Sequence, residues 1–197
     1  MSDICNAISK NLTSRNCGSK GGTNRNSWTF QLPQFTGAET RNATTGALSG
    51  FTLKTGEKGI KGVGRPKKGS GASKLTTAEN GNSEVEQTLI QEYRFANQND
   101  LTALEEFLKG DGKVVFQELA NGKIRVYFKE FGTETSTGEE GTGVVLLDDN
   151  EIMKVTLTGK EGGFPMYFEA PISGSLTQLA SSRAYLDALV VADVVEE

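Results

Sequence analysis

Three carboxylate pairs, Glu105/Glu106, Glu139/Glu140 and Asp148/Asp149, have the spacing closest to acid–base chemistry in this chain. Such work needs both groups in a desolvated cleft, where their pKa values separate. Their neighbours place them instead in loops or on the polar side of a helix, where solvated surface is the expected role. Asp148–Glu151 lacks the twelve-residue ligand pattern of a calcium loop and reads as a turn. The 197 residues include no histidine, so no Ser-His-Asp or Cys-His pair and no imidazole base or ligand can be built. Cys5 and Cys17 are too few for a Cys₄ zinc site and form no recognisable disulfide framework; two free thiols in a reducing cytoplasm are expected. No strand, Gly-rich turn and helix follow one another in the way that cradles a nucleotide. The expectation is a protein without catalytic residues, metal ligands or cofactor, and not an enzyme.

The basic residues are more suggestive. Gly64-Arg65-Pro66-Lys67-Lys68 has the Gly-Arg-Pro core of an AT-hook, whose arginine enters the minor groove. Val63 stands where the fuller motif carries a basic residue, so DNA-groove binding competes with a solvated or protein-contacting loop. The string lies in Lys54–Asn82, which holds seven glycines and seven basic residues without apolar periodicity. A loop of that length is functional or unable to order itself alone. Charge is also segregated along the chain. Residues 1–80 carry 12 basic and 4 acidic side chains, while 81–197 carry the other 9 basic and 21 acidic ones. Such asymmetry implies a charged partner, either nucleic acid or a second copy of the chain. Lys58, Lys61, Arg65, Lys67 and Lys68 are the candidate inter-subunit contacts.

The elements that must position these residues are mostly strands. Residues 1–27 read as an N-terminal arm, and 28–197 as a single β domain with the loop insertion 54–82. Trp28, Phe30 and Leu32 alternate with polar residues until Pro33, and Phe51 with Leu53 marks a second short strand. Val85, Leu89, Tyr93 and Phe95 give a strand of about ten residues. Leu101, Leu104 and Leu108 then fall on one helical stripe that packs as core, capped by Asn99 or Asp100 and stopped at Gly110. Val114–Leu119 and Lys123–Phe131 flank Asn121-Gly122, a strong hairpin signal. After a loop at 132–143, strands are expected at Val144–Leu147, Glu151–Gly159 and Phe164–Ala170. A final helix contains Leu176, Leu179, Tyr185, Leu186 and Leu189, with Ser175 and Gln178 in capping-box spacing; Val190–Val195 suits a strand equally well. The expected fold is mainly β, an antiparallel β-sandwich or barrel with one flanking α-helix. No apolar run reaches the ~18 residues of a membrane helix and the first residues lack a signal-peptide apolar stretch, so no membrane partner is expected.

Several strings together resemble the tail tube class of virion proteins of tailed bacteriophages, in the form found in phages and prophages of Bacteroides-like and Flavobacterium-like bacteria. They are Ile4-Cys5-Asn6-Ala7-Ile8, Asn16-Cys17 with Gly21-Gly22, the block Leu101–Phe131, and Val155-Thr156-Leu157-Thr158-Gly159-Lys160-Glu161 before an aromatic strand. The basic segment 54–82 departs from that pattern. The resemblance implies hexameric rings whose strands join into an inner barrel, stacked into a tube that conducts DNA. Other tail or connector proteins would be partners, genomic DNA a transient passenger, and the virion, assembled in the host cytoplasm, the location. Contacts within and between such rings are heterologous, and a basic half meeting an acidic half suits them. A carboxylate surplus on a lumen would let DNA slide, because like charge releases no counterions. The competing readings are another virion component, such as a capsid decoration or connector, and a basic-loop nucleic-acid-binding module.

Overall fold

The computed structural model describes residues 23–65, 68–77, 83–94, 98–110, 112–141 and 152–191. The strands are β1 (Thr23–Gln31), β2 (Phe35–Arg41), β3 (Leu48–Leu53), β4 (Ile60–Val63), β5 (Ser70–Thr77), β6 (Ser83–Arg94), β7 (Lys113–Leu119), β8 (Ile124–Tyr127), β9 (Thr135–Gly141), β10 (Ile152–Glu161) and β11 (Met166–Phe168). Helix α1 spans Gln98–Lys109 and helix α2 spans Gln178–Asp187. A seven-stranded sheet has the order β2-β3-β11-β8-β7-β1-β4, and a four-stranded sheet has the order β5-β6-β10-β9. All pairs are antiparallel except β3 with β11. The two sheets form a sandwich rather than a closed barrel.

Two apolar cores follow from the alternation along β7. Val114 and Phe116 join Trp28, Phe30, Leu48, Phe51 and Phe168 under α2, which contributes Leu186. Val115 points to the opposite face, where Tyr127 and Phe128 meet Leu89, Tyr93, Met153, Val155 and Leu157 of the four-stranded sheet. In the first core Phe116 stands edge-on to Phe30, with ring centroids 5.6 Å apart, and stacks on Phe51 at 5.0 Å. Aromatic pairs in such geometries add to the transfer free energy of their burial. Between the sheets runs a polar seam. The Tyr93 hydroxyl donates to Gln91 at 2.9 Å, Gln91 donates to Gln117 at 2.6 Å, and Gln117 donates to the carbonyls of Asn24 and Asn26. Burial pushes the Tyr93 hydroxyl up to about 12, against the lowering effect of its contact with Ser27.

The β-rich class, the sandwich and a flanking helix agree with the sequence, and several boundaries do not. Residues 23–27 of the expected arm belong to β1; residues 1–22, including Cys5 and Cys17, lie outside the described residues. The expected loop 54–82 contains β4, paired with β1, and β5, paired with β6 over eight residues. Neither strand buries an apolar row, so neither shows a hydrophobic period. Their glycines serve close packing: a Cβ on Gly62 would lie 2.8 Å from both the Ser27 and the Tyr93 hydroxyl oxygens. Strand β9 occupies most of the expected loop 132–143 for the same reason, and β2 was not legible at all. The hairpin's second strand stops at Tyr127, because Phe128 adopts φ 58° and turns the chain before Phe131. The described residues hold two α-helices, α2 being capped by Thr177, whose hydroxyl accepts from the Ala180 N–H, and not by Ser175 with Gln178. Val144–Leu147 and Asp148–Asn150 lie outside the described residues.

Helix α1 opens at Gln98, one residue before the expected Asn99 cap. Its stripe Leu101, Leu104 and Leu108, joined by Phe107, packs against the second core and stays half-buried, because the helix covers the core's rim. Transfer free energy scales with the apolar area removed from water. Leu89→Ala, at a fully buried site, should therefore cost ~2–5 kcal/mol in urea denaturation, and Leu104→Ala less than about 2 kcal/mol. Equal losses at the two sites would contradict this division of the core.

Candidate functional site

Cross-strand pairing places the polar residues of the four-stranded sheet in rows on the face turned away from the core. Ala72, Thr88, Thr158 and Thr135 form one row, and Ser70, Ile90, Thr156 and Thr137 the next. Charged residues flank them, with Lys74, Glu86 and Lys160 on one side and Glu92, Lys154 and Glu139 on the other. Lys160 reaches Glu84 at 2.8 Å and Lys154 reaches Glu139 at 3.7 Å. The face is thus small-residue and hydroxyl-rich at its centre, with charges that largely compensate one another at its ends.

The edges of this sheet are its second distinctive feature. Among the described residues neither β5 nor β9 has a partner on its outer side. The two edges are eight and seven residues long, contain no proline, and are mostly exposed. Natural edge strands are ordinarily short, bulged or covered, because free N–H and C=O groups template pairing with another chain. Strand β5 carries Lys74 and no acid, whereas β9 carries Glu139 and Glu140 and no base.

Of the five basic residues singled out by sequence, those described have different surroundings. Lys61 pairs with Asp187 at 2.9 Å and lies over the Trp28 ring, and Asp187 also accepts from the Trp28 indole N–H at 2.7 Å. Arg65 pairs with Glu92 at 3.3 Å and is mostly buried. Lys58 and Lys68 are exposed, and Lys67 lies outside the described residues. Two of the five are therefore engaged within the subunit. Of the carboxylate pairs, Glu105 meets Lys109 at 3.9 Å and Glu106 is exposed. No group of His, Cys, Asp or Glu able to hold a metal ion is found among the described residues. No helix among them is long and apolar enough to cross a membrane.

Two structural carboxylates were missed by sequence reasoning. Glu118 on β7 is fully buried; it accepts from Arg183 Nε of α2 at 2.9 Å and from Asn26 at 2.8 Å, with Asn24 as a further donor. Burial alone would raise its pKa, but these donors and the guanidinium charge together hold it below the usual carboxylate range. Glu161, ending β10, accepts from the backbone N–H groups of Glu130 and Phe131. Burial nevertheless raises its pKa. For Glu118 the available signal was an acid inside the largely apolar run Val114–Leu119, and its partner Arg183 lies 65 residues further along the chain.

A cavity of about 660 Å³ opens between α1 and the β1–β4 edge. Phe30, Ile60, Tyr93, Leu104 and Phe107 form its apolar walls, with Lys58 and Glu106 among its polar ones. No family model, no curated protein and no solved structure matches the chain.

The Glu118 clasp has a definite pH signature. Its folded pKa lies below the ordinary Glu value of about 4.3, so its contribution is complete above that pH and is lost as pH falls through the folded value. Glu118→Gln should cost on the order of 2 kcal/mol at neutral pH. The gap from wild type should narrow when denaturant midpoints are measured near pH 3. A gap independent of pH would contradict the assignment.

Proposed function

We propose that this chain is a structural virion protein that self-assembles into rings, stacked as the tube of a phage tail and forming a conduit for DNA. The observation that supports this most is the four-stranded antiparallel sheet with two long open edges and a hydroxyl-rich outer face. Its strands alternate in direction and are even in number. Rotation about an axis along the sheet therefore brings β9 of one copy antiparallel to β5 of the next. Each join adds a main-chain ladder, the physics of strand addition.

Six such sheets, the number implied by the tail tube resemblance, would close a wall of about 24 strands. At ~4.8 Å per strand that wall is roughly 37 Å across between backbones before strand tilt widens it. Threonine and serine hydroxyls on the inner face, with Lys154 and Lys160 already paired to glutamates, would offer DNA few free cations to bind. Such a surface gains little from counterion release. The engagement of Lys61 and Arg65 within the subunit weighs against a basic-loop nucleic-acid-binding module. Partners are then other copies of the chain and the neighbouring tail or connector proteins.

Negative-stain microscopy of the purified full-length chain, with a duplex-binding assay beside it, tests the proposal. Rings or stacked tubes with weak duplex binding are expected. A monodisperse monomer that binds duplex DNA tightly would overturn it.

A further inference from the structure

Phe131 is 66% exposed and Phe164 is 58% exposed. Single exposed apolar residues need no explanation, but these two stand on loops built to hold them. Phe128, fully buried, adopts φ 58°, a conformation costly for a bulky side chain and retained only where its surroundings fix it. Its N–H donates to Gln87 at 2.9 Å, and its carbonyl accepts from Gly132 at 3.1 Å. The buried Glu161 carboxylate receives the N–H groups of Glu130 at 2.8 Å and Phe131 at 3.1 Å. In return Glu130 accepts from the Gly162 N–H at 3.1 Å, and Gln87 donates to the Gly163 carbonyl at 2.9 Å. Two loops are thus clasped through two carboxylates and one glutamine, and each presents a phenyl ring to solvent.

The same chain carries a receptacle of matching chemistry. The cavity between α1 and β4 has aromatic and aliphatic walls and room for aromatic side chains. It opens beside Ile60 and Val63, which are 47% and 60% exposed. Lys58 at this site carries no ion pair among the described residues, whereas Glu130 and Glu134 flank the exposed Phe131. An apolar knob and an apolar pocket are complementary, and Lys58, on the β4 side of a mouth that carries Glu106 on its α1 side, matches the knob's acidic flanks.

We propose that the pocket between α1 and β4 receives the Phe131 loop of a second copy of this chain. In the head-to-tail arrangement proposed, each copy gives its knob to one neighbour and accepts one from another, so the contact is heterologous and propagates. Buried aromatic anchors of this kind dominate interface energetics. The proposal rests on the self-assembly reading only for its setting, where it would be the contact between rings rather than the edge pairing within them.

The test uses the full-length chain with Phe131→Glu and Ile60→Arg, both at exposed sites, so that thermal midpoints should match wild type. By sedimentation each variant alone should self-associate at least ~30-fold more weakly than wild type through this contact. An equimolar mixture retains one intact knob and one intact pocket, and should pair one unit of each variant without growing further. If the units are rings the mixture gives double rings, and if they are single chains it gives dimers. The presence of rings therefore tests the tail tube reading, while pairing on mixing tests this one. Either variant assembling like wild type, or a mixture no more associated than its parts, would overturn the proposal, as would a wild-type chain that never self-associates.

Discussion

Strand β7 has no solvent side. Val114 and Phe116 point into one core, Val115 and Gln117 point into the other, and all four are essentially inaccessible. A strand apolar on both faces must be covered twice, and the rest of the architecture meets that demand. Helix α2 covers one face through Leu186 and is tied down by Arg183 on the buried Glu118. The four-stranded sheet covers the other with Leu89, Tyr93, Val155 and Leu157. Helix α1 seals only the rim of that second layer, which leaves Leu104 half-buried and the cavity beside it open.

Covering β7 uses one face of the four-stranded sheet and fixes the character of the other. Period two sends Thr156 and Thr158 outward wherever Val155 and Leu157 go inward, and the same holds for Thr88 between Gln87 and Leu89. The seven-stranded sheet cannot close around this small sheet, because the sandwich brings them face to face and not edge to edge. Among the described residues, strands β5 and β9 therefore end the sheet without an outer partner. A fold that carries such edges has a use for them or a defence against them. Among the described residues, two uncovered edges flank an alternating, even-stranded sheet, and the proposed repeating wall would use both.

What was legible in the sequence is what burial imposes. Strand β6 reads from Val85, Leu89 and Tyr93, the β7–β8 hairpin from Asn121-Gly122, and α1 from its leucine stripe. Each exposes a hydrophobic period because a core demands one. Strands β2, β4, β5 and β9 have no such period, since main-chain pairing makes them and side-chain burial does not. Residues 54–82 consequently looked like one basic loop. Lys61 and Arg65 looked free because Asp187 and Glu92 reach them only through the folded chain. Phe131 looked like the end of a strand, since nothing local announces that Phe128 turns the backbone.

Hydrogen exchange compared between dispersed and assembled protein tests the central claim most directly, because it reads edge pairing strand by strand. The account predicts that amides of Ser70–Thr77 and Thr135–Gly141 gain protection together on assembly. Amides of β7, already protected on both faces, should change little. Assembly that leaves both edges exchanging as they do in the dispersed subunit would contradict it.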